Sequence, residues 1–178
     1  MNRAPESPKE TYIMAEVTSF QELYQEQLRD LYSAENQIIE ALPKMVEAAA
    51  NDQLKQGFQM HLEQTKEQAR RLERIFSRMG QDPGGHTCKA MQGLVAEGKE
   101  SLKEVQAGPL LDAALIAAAQ RIEHYEMAGY GTAKTFAKQA GDAESVSLLE
   151  QTLEEEKQTD EKLTQVAESL VNPQAASA

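Results

Sequence analysis

The sequence predicts an all-α protein built on four long helices, and three observations carry that prediction. The 178 residues are dominated by Ala, Leu, Glu, Gln and Lys, with no Trp and only 5% aromatics, the composition of long helices rather than sheets. Apolar residues recur at three- and four-residue spacing over long stretches, the period of one helix face. Clustered turn signals separate those stretches at Asn51-Asp52, Gly80–Gly85, Gly108-Pro109 and Gly141-Asp142.

Residues 1–17 contain Pro5 and Pro8 and hold no period, which marks them as a flexible tail. Ser19-Phe20-Gln21-Glu22 matches a capping box, in which serine and glutamate satisfy helix-end amides reciprocally, so a first helix starts at Phe20 and runs to about Ala50. Pro43 lies inside it and removes one backbone bond without ending it. Asn51 is an N-cap for a second helix that reaches about Met79. After the Gly- and Pro-rich break, residues 88–107 read as a shorter helix weakened by Gly93 and Gly98. Pro109 suits the first turn of a third long helix that ends near Ala140. Gly141 and Asp142 form a tight C-cap and N-cap pair before a fourth, which ends near Val171. Residues 172–178 are a second flexible tail, leaving 18–171 as one domain. Two hairpins joined by one crossover of nearly thirty residues, itself carrying a short extra helix, is the ferritin-like version of the four-helix bundle.

Acids interrupt the apolar faces. The fourth helix reads Val146, Leu149, Leu153, Glu156, Asp160, Leu163, Ala167, Leu170, and the first reads Tyr24, Leu28, Leu31, Glu35, Ile38, Leu42, Met45. The third places Glu126 between Ile122 and Gly129, with Glu123 beside it. Each acid lies near the middle of its helix, so side-by-side packing brings Glu35, Glu123, Glu126, Glu156 and Asp160 to one level. The second helix adds Thr65, with His61 and Gln68 about a turn to either side. Burying a lone carboxylate costs several kcal/mol even after relaxation. Several at one level call for a shared cation, and bridging carboxylates hold two metal ions ~3.5–4 Å apart. Oxygen and imidazole donors suit iron or manganese better than a Cys-based zinc site.

Two duller readings compete. Each Glu can be a flank residue, and Arg71 or Arg121 can reach in from the edge to make a salt-bridged core. His61 reads equally as a ligand or as a satisfied core histidine. In Glu154-Glu155-Glu156 only the last points inward, and Met45, Met60, Met79 and Met127 read as packing. If the site is catalytic, Tyr32 or Tyr125 can sit near it as a radical or proton partner, against the commoner reading of buried tyrosines as packing.

The net charge of −11, with no basic block, argues against nucleic acid as a partner and against a DNA-shielding mini-ferritin. The lone Cys88 forms no internal disulfide and reads as a thiol at a helix start rather than a redox or metal site with His86. The longest apolar run, around Ala113–Ala119, is far short of the ~20 residues that cross a bilayer. The polar N-terminus lacks a secretory leader pattern, so a cytoplasmic protein with no membrane partner is expected.

Six stretches carry a resemblance: Asp30–Gln37, His61–Gln68, Cys88–Leu94, Glu123-His124-Tyr125-Glu126, Gly141-Asp142 and Glu155–Asp160. Together they resemble the YciE/YciF family of ferritin-like bacterial stress proteins, over about residues 20–171. The resemblance implies a rubrerythrin-like bundle, often dimeric, with a dinuclear metal site. The second helix departs from many ferritin-like proteins, because Thr65 and Gln68 stand where a Glu-x-x-His ligand pair is common, and no Cys-x-x-Cys module is present to deliver electrons. Both departures count against redox turnover of the rubrerythrin kind.

The expectation is therefore a homodimeric, metal-binding stress protein with a di-iron or di-manganese site formed by Glu35, His61, Glu123, Glu126, Glu156 and Asp160. Ferroxidase or peroxide-reducing activity is the chemistry such a site would support. The alternative is a non-catalytic structural or interaction protein with a vestigial carboxylate layer.

Overall fold

The computed structural model describes residues 16–177, so most of the expected N-terminal tail lies outside the described residues. Among the described residues the chain is helical, without a strand. The first helix, α1, spans Phe20–Ala48. The Ser19 hydroxyl accepts the Glu22 amide at 3.2 Å while the Glu22 carboxylate accepts the Ser19 amide at 3.1 Å, the reciprocal cap read from the sequence. Helix α2 spans Asp52–Met79, with the Asn51 side chain accepting the amides of Gln53 and Leu54. It ends at Gly80, whose φ of +65° is the left-handed conformation that suits glycine.

The crossover carries α3, Lys89–Glu104, whose first turn is capped by Cys88: the thiol sulfur accepts the Met91 amide at 3.3 Å. Helix α4 spans Pro109–Gln139 and α5 spans Ala143–Val166, the latter capped by Asp142. The helical backbone then overruns the expected end near Val171. It widens into a π-turn at Ala167–Val171 and continues as the short α6, Asn172–Ala175, where Pro173 has no amide hydrogen and leaves one bond out of the ladder just past the widened turn.

Helix α1 packs against α2 and α4, and α5 packs against α4 and α2, with α3 lying across α1 and α4. The buried Asp112 of α4 locks the first hairpin in place by accepting the amides of Ala50 at 2.8 Å and Asn51 at 2.9 Å. At the other end, Arg78 of α2 donates to Asp142 at 3.0 Å.

The apolar core comes in two parts. One gathers Ile38, Leu42, Phe58, Leu115, Ile122, Leu163 and the buried residues of α3; the other gathers Leu28, Leu31, Leu72, Phe76, Tyr130, Ala133 and Leu149. Between the two parts each long helix presents polar groups: Glu35 on α1, His61, Thr65 and Gln68 on α2, Glu123 and Glu126 on α4, and Glu156 on α5, all buried. A polar equator crosses the middle of the protein.

Candidate metal centre

The equator is where the acids meet. Ligand-capable atoms of His61, Glu123, Glu126 and Glu156 all lie within 4.8 Å of one another. Glu35 joins them from α1. Its carboxylate accepts a short hydrogen bond from the Tyr130 hydroxyl, and it lies beside Glu126. Five of the six residues singled out from the sequence thus come together.

Asp160 does not join them. Its carboxylate accepts Gln120 Nε2 at 3.1 Å and lies 3.4 Å from His124 Nε2, with 22% of the side chain exposed. One helical turn along α5 moves it ~6 Å from the level of Glu156. Because α4 and α5 form a hairpin, that turn leads it toward Gln120 and away from Glu123.

The tyrosines also differ from expectation. Tyr32 donates to Glu73 at 2.9 Å, and Tyr125 donates to Asp30 and meets Cys88 Sγ at 2.9 Å, so neither touches the acids. Tyr130 does, and the sequence offered a signal: it stands four residues after Glu126, on the same helix face. A salt-bridged core is absent from the described residues. Arg71 grips Glu155 through two bonds of 2.6 and 2.8 Å on the outer side of α5, and Arg121 is exposed.

The electrostatics are those of an uncompensated cluster. The cationic partner of the four acids within 4 Å, among the described residues, is His61, whose Nε2 lies 3.2 Å from Glu123 Oε1. That contact lies off the line an N–H would take, so both ring nitrogens lack a hydrogen-bond partner. So do Glu35 Oε2, Glu123 Oε2 and both oxygens of Glu126 and Glu156. Eight buried polar atoms of five residues therefore converge with nothing to bind. Buried polar groups are rarely left so, which makes the cluster a fit for a cation.

Burial is the largest cause of the rise in Glu35, Glu126 and Glu156. It pushes Glu35 up to about 8, with the Glu123 charge adding to the rise and the Tyr130 hydroxyl and His61 opposing it. Glu126 and Glu156 stand well above the usual carboxylate range, through burial and then through the charges of Glu35 and Glu123 on Glu126, and of Glu126, Glu123 and Glu35 on Glu156. For His61, burial lowers the pKa, but Glu123, Glu35 and Glu155 together outweigh it, so the imidazole is raised.

Residues 19–176 match the family described as "Domain of unknown function (DUF892)". The chain is 45% identical over 149 residues to Protein YciF of Escherichia coli K12, covering 83% of this chain and 90% of that one. The crystal structure of that protein, the E. coli stress protein YciF, superposes with a TM-score of 0.84 at 41% identity, covering 88% of this chain and 99% of the other. YcfI of Rhodopseudomonas palustris, described as a candidate structural protein, superposes at 0.82 with 42% identity over 86% and 98% of the two chains. The chain belongs to the DUF892 family, and YciF is a relative within the range that the motifs from Asp30 to Asp160 implied.

Proposed function

We propose that this protein is a cytoplasmic, ferritin-like stress-response protein whose four-helix bundle holds two iron or manganese ions at its equator. Glu35, His61, Glu123, Glu126 and Glu156 would hold them. The observation that carries the reading is the set of eight buried, partnerless oxygen and nitrogen atoms on those five residues. The charge fits as well, since four carboxylates around a neutral imidazole balance two divalent cations. When bound, such a pair supplies redox chemistry toward ferrous ion or peroxide. The chain's own residues orient it: Tyr130 fixes one oxygen of Glu35 and leaves the other turned inward, and Arg71 holds Glu155 outward so that Glu156 faces the centre. The relative's description as a stress protein agrees with the assignment. No helix among the described residues is long and apolar enough to cross a membrane.

A second reading has an observation in its favour. Helix α2 brings one nitrogen ligand and no carboxylate to the equator, since Thr65 bonds back to the His61 carbonyl at 2.8 Å and Gln68 donates to Glu155 at 3.1 Å. A proton-bridged, metal-free layer in a structural or interaction protein would look like this. Elemental analysis of protein purified without chelator from iron- and manganese-supplemented cells separates the two. The metal reading expects about two ions per chain. A metal-free protein with full helicity would sink it.

A further inference from the structure

Helices α2 and α5 are clamped along one half and splayed along the other. The clamp consists of Arg71 to Glu155 at 2.6 Å, Arg74 to Glu144 at 2.9 Å and Arg78 to Asp142 at 3.0 Å. Beyond the equator no comparable pair joins the start of α2 to the end of α5 among the described residues, and there the helices part around a cavity of about 250 Å³. Its walls are apolar, from Leu54, Phe58, Met60, Leu163 and Val166. Its inner end is His61 and Glu123 of the equator.

Three features mark this opening as built. Gly57 stands in the second turn of α2, inside the helix, where glycine is among the weakest helix formers, and a Cβ there would meet nothing within 4 Å. A side chain at this position of the cleft's lining has room that glycine leaves empty. His61 is 4% exposed, both its ring nitrogens lack partners, and it lines the inner wall. The π-turn at Ala167–Val171 follows directly on the last lining residue of α5, Val166, and such widened turns gather at functional sites.

We propose that the cleft between α2 and α5 binds a small neutral molecule with an apolar body and a hydroxyl or hydroperoxide head, the head turned to His61 and Glu123. The volume suits a molecule of about ten non-hydrogen atoms, below the ~300–1,000 Å³ of pockets for drug-sized ligands. The body matches the aliphatic and aromatic walls, with Met60, 59% exposed, as an adaptable lip. The head follows from what waits inside. Glu123 Oε2 and both ring nitrogens of His61 lack partners, so a head group that both donates and accepts hydrogen bonds matches the pair. An anionic head would face the Glu123 carboxylate, and a cationic one would pass the exposed Lys162 at the rim. The inference deepens the metal-centre reading, since the inner end of the cleft is that centre, but the walls and the Gly57 gap are the same with or without metal.

Calorimetric titration of protein purified without chelator with 2-phenyl-2-propanol tests the proposal, with isopropylbenzene as the probe of equal body and no head. Saturable binding of the alcohol is expected, weaker by several-fold for the headless hydrocarbon. Gly57→Leu fills the gap from an exposed helix position, so it should weaken binding at least tenfold while the melting temperature holds or rises. Amide NMR of the wild type adds a second measurement: shifts should fall on Gly57–His61 and Thr159–Val166. No saturable binding, equal binding of the headless probe, or binding untouched by Gly57→Leu would each overturn the proposal. Metal analysis of the same preparation judges the metal centre separately: absent metal with blockable binding removes the centre and keeps the cleft.

Discussion

Glu156 is the residue at which the chemistry of the equator is most easily read. It is fully buried on α5, both its oxygens lack partners, and its pKa stands well above the carboxylate range. In metal-free protein the folded state therefore keeps protons on Glu35, Glu126 and Glu156 that the unfolded chain releases near 4.5. Where the folded state binds more protons, stability falls as pH rises. The loss begins near the unfolded value and continues through about 8, where Glu35 gives up its proton in the fold. Urea denaturation in chelator should show that decline between about pH 5 and pH 8. Glu156→Gln keeps the shape and removes one charge, so it should flatten the profile and raise metal-free stability at pH 8 by about 1–3 kcal/mol, the size of relieving one unpaired buried group. The same change should lower metal content. A destabilised variant with unchanged metal would mean that Glu156 is held by a partner and not by an ion.

Two glycines of α4 show how helix spacing is set. A Cβ on Gly129 would lie 2.7 Å from Leu31 Cδ2, and Leu31 is fully buried, so its methyl has no free space to enter. Gly129 thereby lets α4 approach α1 one turn from both Glu126 and Glu35. Gly131, two residues on, has nothing within 4 Å of its added Cβ. Gly129→Ala should cost about 1–3 kcal/mol through overpacking, despite alanine's better helix propensity. Gly131→Ala should gain up to about 1 kcal/mol from that propensity alone. Thermal melts of the two variants check the contrast, and equal effects would show that α1 and α4 yield freely. The sequence made the helices legible because caps and breakers are local: Ser19, Asn51, Cys88 and Asp142 each act within three residues. Which acids meet depends instead on register between helices. Equal midpoints were enough to gather Glu35, Glu123, Glu126 and Glu156, but not to see that Asp160 slides past toward Gln120. Tyr130 was hidden for another reason, since an aromatic on an apolar face reads as packing until its hydroxyl is placed.

At the level of assembly, the proposed homodimer draws on apolar side chains that the single chain leaves outside. Val17, Phe20 and Leu23, all more than 40% exposed, cluster at the start of α1, where the Phe20 ring leans edge-on against Phe136 at 5.0 Å. A symmetric pair is the commonest soluble arrangement and would cover such a patch. Light scattering should give a mass near twice 19.7 kDa at micromolar concentration. A value near the single-chain mass, or one of many subunits, would remove the dimer. The long crossover, legible as a gap between two hairpins, is also what sends α3 across α1 and α4 and thickens one half of the core.

That unequal division has a mechanical meaning. An apolar core normally resists opening as one body, because breaking any layer exposes the next. Here the two apolar halves adjoin across a plane of acids, which in metal-free protein contributes repulsion where other layers contribute cohesion. The plane is a fault line, and two cations across it would act as rivets. Hydrogen exchange on chelated protein should reveal the slip: amides in the half without α3 should exchange as a separate, less protected unit, and added metal should merge the two units into one.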